Sequence, residues 1–121
     1  MRTIIKNGTI LTPLRQIEGG GLIIKDNEIE SIFKNQEKLL RESADRVVDV
    51  SGKYIAPGFI DLHTHGGGGH DFMDGTQEAF IGACNTHLKH GTTSIVPTTL
   101  TSSETETSAI LKSFNHINIQ S

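Results

Sequence analysis

Two histidines, His63 and His65, stand one residue apart at the end of an apolar run that begins at Phe59. Side chains on a β-strand alternate between its two faces, so both imidazoles are predicted to point to the same side. At about 3.3 Å per residue they would lie roughly 7 Å apart along the backbone, close enough to converge on one metal ion. A metal bound there would activate a water molecule for hydrolysis.

The residues around this pair favour metal binding, because two histidines without such a context are most often hydrogen-bonded to backbone groups. Phe59, Ile60 and Leu62 are all apolar, which predicts a strand buried on both faces over residues 59–64. Four glycines, residues 66–69, follow the second histidine and predict a flexible loop. A buried strand that opens into a loop is typical of the ligand-binding edge of a parallel α/β sheet.

Two strand–helix units are predicted after Pro57. Asp74 is expected to cap the first helix, and the run Thr101–Glu104 has the pattern of a capping box for the second. Two such units in sequence imply a parallel sheet with crossover connections. The predicted strands and the first helix cover residues 59–64, 75–90 and 93–97.

The first half of the chain reads as a small β layer. Asn7-Gly8 is suited to a tight hairpin turn, and Asp26-Asn27 predicts a second hairpin. Residues 34–45 are polar and predict a loop or a short helical turn. A further strand is expected over residues 47–50.

The overall composition excludes several classes of protein. The net charge of −3 gives no basic patch for nucleic acid. Cys84 is the single cysteine, so a disulfide framework is impossible and a reducing compartment is favoured. The first twenty residues lack the apolar core of a signal peptide, and no run approaches the roughly 18 apolar residues of a membrane span. These features predict a soluble, cytoplasmic protein.

Three stretches carry a resemblance to known proteins. Residues 48–65, VDVSGKYIAPGFIDLHTH, resemble the entry into the first barrel strand of the amidohydrolase superfamily. Residues 66–74, GGGGHDFMD, and residues 90–102, HGTTSIVPTTLTS, resemble the N-acetylglucosamine-6-phosphate deacetylase family within it. The resemblance runs over nearly the whole chain.

The resemblance implies an α/β fold with two parts. Residues 1–56 would form a small β-sandwich segment, and residues 57–121 the first two βα units of an incomplete (β/α)₈ TIM barrel. A complete barrel takes about 250 residues, so only two of its eight units fit here. We therefore expect a fragment or a truncated gene product that is not a competent enzyme by itself.

The resemblance also implies a function. His63 and His65 would bind a divalent metal, zinc or iron, as part of a site that hydrolyses N-acetylglucosamine 6-phosphate to glucosamine 6-phosphate and acetate. One metal or a pair would be compatible with the two histidines. No catalytic residue is expected in this chain, because the family's general-base aspartate and remaining ligands lie further along. The resemblance implies a small-molecule sugar phosphate as substrate and a homodimer as the oligomeric state. It implies no nucleic-acid partner and no membrane partner.

Several alternatives stay open on the sequence. The chain could belong to another amidohydrolase that acts on a cyclic amide, such as a dihydroorotase or hydantoinase, or to a non-catalytic module that kept the motif. Asp61 could orient a ligand histidine or accept a bond from a backbone amide. His70 and Asp71 are expected to be exposed in the glycine loop, and His87 is expected to stabilise a helix end as a structural residue.

Overall fold

The computed structural model describes residues 1–39 and 41–117, which belong to two compact units, Met1–Pro57 and Gly58–Ser121. The first is mainly β-sheet, and the second alternates strands with helices. This mixed α/β architecture confirms the predicted fold class at that level, whereas the TIM barrel and the β-sandwich stay predictions. No helix within the described ranges is long and apolar enough to cross a membrane.

The elements of the first unit are β1 Arg2–Leu11, β2 Gln16–Lys25, β3 Glu28–Phe33, α1 Gln36–Leu39, β4 Arg46–Asp49 and β5 Tyr54–Ile55. Its strands form one five-stranded sheet in the order β3-β2-β1-β4, with β5 also paired to β1. β2 pairs antiparallel with both β1 and β3, while β4 and β5 run parallel to β1. The short helix α1 follows β3 in the segment predicted to be a loop or helical turn.

The predicted hairpin at Asn7-Gly8 is wrong. β1 continues through both residues, and its register with β2 shifts between Ile5 and Gly8, which marks a β-bulge. Asn7 adopts a left-handed φ of 66°, and its side-chain amide donates to Asp49 Oδ2 at 2.7 Å. Asn-Gly supplies the positive φ that a bulge and a tight turn both need, so the dipeptide alone does not distinguish them. The second predicted hairpin, around Asp26, is confirmed.

One core cluster of the first unit lies on one face of this sheet. Ile4, Ile23 and Leu39 are buried together, with Phe33 and Ala44 packed against them. The neighbouring positions in the strands alternate to the other face, where isoleucines line an open apolar groove of about 330 Å³. The first face is therefore covered, whereas the groove on the second face leaves part of its apolar lining exposed.

The second unit carries a parallel strand pair, β6 (Phe59–Thr64) and β9 (Thr92–Pro97), as predicted. Phe59 pairs with Thr92 and Thr64 with Pro97, and the register shifts between Asp61 and Thr64. A two-strand antiparallel hairpin and a short 3₁₀ helix, Phe72–Asp74, separate β6 from the first long helix. The elements are β6 Phe59–Thr64, β7 Gly66–Gly67, β8 His70–Asp71, α2 Gln77–Lys89, β9 Thr92–Pro97 and α3 Glu104–His116.

The prediction that β6 is buried on both faces is wrong. Phe59, Ile60 and Leu62 are 65%, 68% and 71% exposed. An apolar run indicates which side chains favour burial, but two strands and two long helices do not provide enough surface to cover both faces of a sheet. The core of this unit lies instead around Phe72 and Ala83, which are 1% and 0% exposed.

Both helices of the second unit begin two or more residues later than predicted. Asp74 ends the 3₁₀ helix, so Thr76 caps α2 by accepting a bond from the Ala79 amide at 3.2 Å. In α3 the capping box joins Ser103 to Glu106, not Thr101 to Glu104. Several acceptor side chains precede each helix, and local spacing alone does not select among them.

Candidate metal centre

The structure brings His63 and His65 together at the carboxyl end of β6. Their ring centroids lie 5.0 Å apart with an edge-to-face angle of 89°. His63 is exposed and His65 is half-buried. The two rings are therefore close to each other, as the His-x-His spacing predicts, whereas a shared ion stays a prediction.

The His65 ring is oriented by a hydrogen bond to the neighbouring strand end. Its Nδ1 lies 3.1 Å from the Thr98 carbonyl oxygen. A carbonyl oxygen only accepts, so Nδ1 carries the proton and the neutral ring keeps its lone pair on Nε2. Metal-binding histidines typically donate their second ring nitrogen in this way, so His65 fits the role of a ligand through Nε2.

The backbone on both sides of His65 is also fixed. The Thr98 amide donates to the Thr64 carbonyl at 2.8 Å, and the Phe72 amide donates to the His65 carbonyl at 2.8 Å. Phe72 is almost completely buried. His65 is therefore held by the end of β9 on one side and by the core of the unit on the other.

Asp61 contacts the backbone of the histidine segment. Its Oδ1 accepts a bond from the His63 amide at 3.1 Å. Its other oxygen, Oδ2, lies 4.0 Å from Nδ1 of His87 on α2. Of the two roles left open by the sequence, the structure assigns Asp61 to the backbone amide.

The glycine run, predicted as a flexible loop, forms part of a β-hairpin. Gly66 pairs with Asp71 and Gly67 with His70. The two intervening glycines turn the chain with φ values of 64° and 85°, a conformation that residues with a Cβ adopt at a cost.

His70 and Asp71, expected to be exposed in that loop, have structural contacts instead. A Cβ on Gly82 would lie 2.4 Å from the His70 ring, so that ring packs directly on α2. The Asp71 side chain accepts from the Met73 amide at 2.8 Å and so caps the 3₁₀ helix. Both residues stabilise the hairpin and the turn that follows it.

Two donors alone form only part of a metal site. Within residues 1–39 and 41–117 there is no cluster of three or more histidine, cysteine, aspartate or glutamate side chains placed to hold a metal. A catalytic zinc ion usually takes three protein ligands and a water molecule. His63 and His65 would supply at most two of these ligands, and their binding of a metal stays a prediction.

The sequence interpretation missed Thr98 and underestimated His87. Thr98 directly follows β9, and the carboxyl ends of neighbouring parallel strands meet at one edge, so its position gave a usable signal. His87 was expected to act only on the helix dipole, but its Nε2 lies 2.9 Å from the Gly66 carbonyl oxygen. Sequence spacing gave no indication of that contact, because it joins a helix to a hairpin 21 residues earlier.

Residues 54–120, more than half of the chain, match the amidohydrolase family. The chain belongs to the amidohydrolase family. This agrees with the position of the histidine pair at the carboxyl end of a parallel strand.

The curated relatives include dihydroorotases and 5-methylthioadenosine/S-adenosylhomocysteine deaminases, which match about half of this chain, and two kinds of enzyme that match more than four-fifths of it. The chain is 34% identical over 100 residues to an N-acetylglucosamine-6-phosphate deacetylase of Lysinibacillus sphaericus. The alignment covers 83% of this chain and 25% of that protein. It is 40% identical over 108 residues to a D-hydantoinase of Geobacillus stearothermophilus, which covers 84% of this chain and 20% of that protein. The chain thus spans a quarter or less of the length of these relatives.

Solved structures separate the two more clearly. The N-acetylglucosamine-6-phosphate deacetylase of Pasteurella multocida superposes with a TM-score of 0.83 at 26% identity, covering 97% of this chain and 30% of that one. A D-hydantoinase structure gives a TM-score of 0.58 at 33% identity, covering 97% and 24%. The chain resembles the amino-terminal portion of the deacetylases.

Proposed function

We propose that this chain supplies His63 and His65 to the divalent metal, zinc or iron, of an N-acetylglucosamine-6-phosphate deacetylase. The reaction would hydrolyse the acetamide group to give glucosamine 6-phosphate and acetate. The observation that carries the proposal is the approach of the two rings to 5.0 Å with the lone pair of His65 left on Nε2. The substrate assignment rests on the resemblance to the deacetylases.

The chemistry requires both the metal and groups from this chain. A bound divalent metal lowers the pKa of its water to near 7 and polarises a carbonyl oxygen. Neutral imidazoles suit the ligand role because they add no charge to the site. The Thr98 carbonyl holds His65 in the tautomer that leaves Nε2 free. The general base and the remaining ligands would come from outside the described residues.

A cyclic amidase such as a hydantoinase or dihydroorotase is the second candidate. The 40% identity to the D-hydantoinase favours it. The structural similarity favours the deacetylase, since the TM-score falls from 0.83 to 0.58 over the same share of this chain. The cytoplasmic location and the homodimer stay predictions.

The coding sequence after the codon for Ser121 gives the quickest test of substrate class. A glutamate segment, two spaced histidines and a late aspartate would support the deacetylase, whereas a lysine in a ligand position would favour the cyclic amidase. The product of that coding sequence would then be assayed for acetate release from N-acetylglucosamine 6-phosphate. Hydrolysis of a hydantoin or dihydroorotate without acetate release would overturn the deacetylase proposal.

Metal binding by the 121-residue chain tests the site separately. Zn²⁺ would be titrated while the imidazole resonances are followed by NMR. We expect the His63 and His65 signals to shift together and the shift to disappear in either His63→Ala or His65→Ala. His90→Ala is the matched control, because His90 is exposed at the end of α2. An equal response of all histidines would contradict a specific site.

A further inference from the structure

We infer that His87 is a positioning residue for the metal centre, which holds the backbone immediately after His65. This inference rests on the proposed function, because it assigns a role toward the same histidine pair. The contact that carries it is the 2.9 Å bond between His87 Nε2 and the Gly66 carbonyl oxygen.

The direction of that bond is fixed by the chemistry of its acceptor. The Gly66 carbonyl can only accept, so His87 Nε2 must carry its proton. The Thr64 hydroxyl shares this acceptor at 3.1 Å. Two side chains, one from the end of β6 and one from α2, therefore converge on the carbonyl that follows the ligand His65.

The same atoms superficially resemble a nucleophilic triad. Thr64 Oγ1 lies 3.3 Å from His87 Nε2, and Asp61 Oδ2 lies 4.0 Å from Nδ1. A general base needs a lone pair on the nitrogen that faces the hydroxyl. Nε2 carries a proton and donates it to Gly66, so the arrangement anchors the backbone and does not activate Thr64.

The location of His87 suits an anchor because its helix is fixed in the core. Ala79, Ala83 and His87 follow one another at intervals of four residues and so share one face of α2. Ala79 and Ala83 are 4% and 0% exposed, and the His87 side chain is 24% exposed. Packing of the helix therefore sets where Nε2 can reach.

The hairpin after His65 is built to let the ring approach. A Cβ on Gly67 would lie 3.0 Å from His87 Nε2, closer than an ordinary contact. The other two anchors around His65 are backbone bonds, to the Thr64 and His65 carbonyls. The Gly66 carbonyl is held by side chains, so a substitution removes this anchor while it leaves the donors and acceptors of the other two in place.

The experiment compares His87→Leu, which removes the donor, with His87→Gln, whose amide nitrogen can replace Nε2. His90→Leu is the control at the same helix end. The first readout uses the metal-free chain and measures hydrogen exchange of the Phe72 amide relative to that of Ala83. We expect His87→Leu to speed this exchange by roughly two- to tenfold, and His87→Gln to restore it.

The second readout is the affinity of the chain for Zn²⁺, obtained from the shifts of the His63 and His65 imidazole resonances. We expect His87→Leu to weaken it about tenfold, as is typical when a group that orients a ligand is lost, with recovery in His87→Gln. A general loss of packing would change the Phe72 and Ala83 amides together and would not be rescued by glutamine.

The outcomes separate this inference from the proposed function. Unchanged Phe72 exchange and unchanged Zn²⁺ affinity in His87→Leu would overturn the positioning role while leaving the metal site intact. No Zn²⁺ response in the parent chain, together with faster Phe72 exchange in His87→Leu, would overturn the metal site and support the backbone anchor. An effect of His90→Leu equal to that of His87→Leu would also overturn the assignment.

Discussion

The two units of the molecule use their apolar side chains differently. In the first, Ile23 lies in the five-stranded sheet and is 0% exposed. In the second, Phe59 and Leu62 lie on the strand that leads to the histidines and are more than half exposed. The strand that bears the candidate chemistry is therefore not the part that stabilises its unit; that role falls to Phe72 and the helices.

The topology explains this difference. β1, β2 and β3 follow one another along the chain and pair as antiparallel neighbours, so short connections place the central strand β2 between two partners. β6 and β9 are parallel and need a crossover through α2 before they can pair. Two parallel strands reached in this way leave much of their apolar surface uncovered.

The largest expected effect tests where the second unit obtains its stability. Phe72→Ala should lower the free energy of unfolding of that unit by about 3–5 kcal/mol, because a nearly fully buried aromatic ring is lost. Phe59→Ala is the matched control and should change it by about 0.5 kcal/mol or less, because Phe59 is 65% exposed. Hydrogen exchange of amides in α2 measures both. Equal losses would mean that β6 is buried in solution and contributes to the core of its unit.

The corresponding substitution in the first unit is Ile23→Ala. It should cost about 2–5 kcal/mol, because Ile23 is completely buried against Ile4 and Leu39. Ile29→Ala, at a position 58% exposed, should cost about 0.5 kcal/mol or less. Amide exchange in β1 and β2 gives the measurement. A cost for Ile29 as large as that for Ile23 would indicate that the open groove is covered.

A smaller effect concerns the start of α3. Ser103→Ala removes the side chain that accepts from the Glu106 amide at 3.2 Å, and should cost about 1 kcal/mol. Ser108→Ala in the same helix is the control, because Ser108 is exposed and alanine favours a helix interior. Chemical denaturation of both variants would measure the difference in the free energy of unfolding. Amide exchange in α3 would show whether that difference lies in this helix. If the two variants are alike, Ser103 does not cap the helix.

The smallest expected effect is a loss of folding stability at acidic pH, which we expect in both units. Bonds from the Ser102 and Ser103 hydroxyls lower the pKa of Glu106, and the Ser51 hydroxyl and amide, with Asn7, lower the pKa of Asp49. Each folded carboxyl thus favours its charged form. Its contribution is complete above the ordinary carboxyl pKa of about 4 and is lost as the pH falls through the lowered value.

Glu106→Gln and Asp49→Asn should each reduce the loss of stability below about pH 4 in their own unit. Amide exchange measured at several pH values would follow the two units separately. If the stability of the parent chain, measured by amide exchange, does not change as the pH is lowered, the pKa assignments of both Glu106 and Asp49 are wrong.

Much of the secondary structure followed from local sequence. The hairpin at Asp26, the parallel strands β6 and β9, and the helix between them were predicted because turn residues and hydrophobic periodicity act over a few residues. Helix starts were less accurate, since Asp74 and Thr101 compete with nearby Thr76 and Ser103 as caps. The Asn7 bulge was missed because its bond partner, Asp49, lies 42 residues away.

The placement of His63 and His65 in one short segment at the end of a strand follows from local sequence, because their spacing and the strand period are local properties. The contacts around them required the folded chain: Thr98 orients the His65 ring, Asp61 binds a backbone amide, and His87 reaches the Gly66 carbonyl. Two of these, the contacts of Thr98 and His87, join residues 33 and 21 positions apart. Such contacts depend on how helices and strands pack against each other, and the periodicity of the sequence does not indicate this packing.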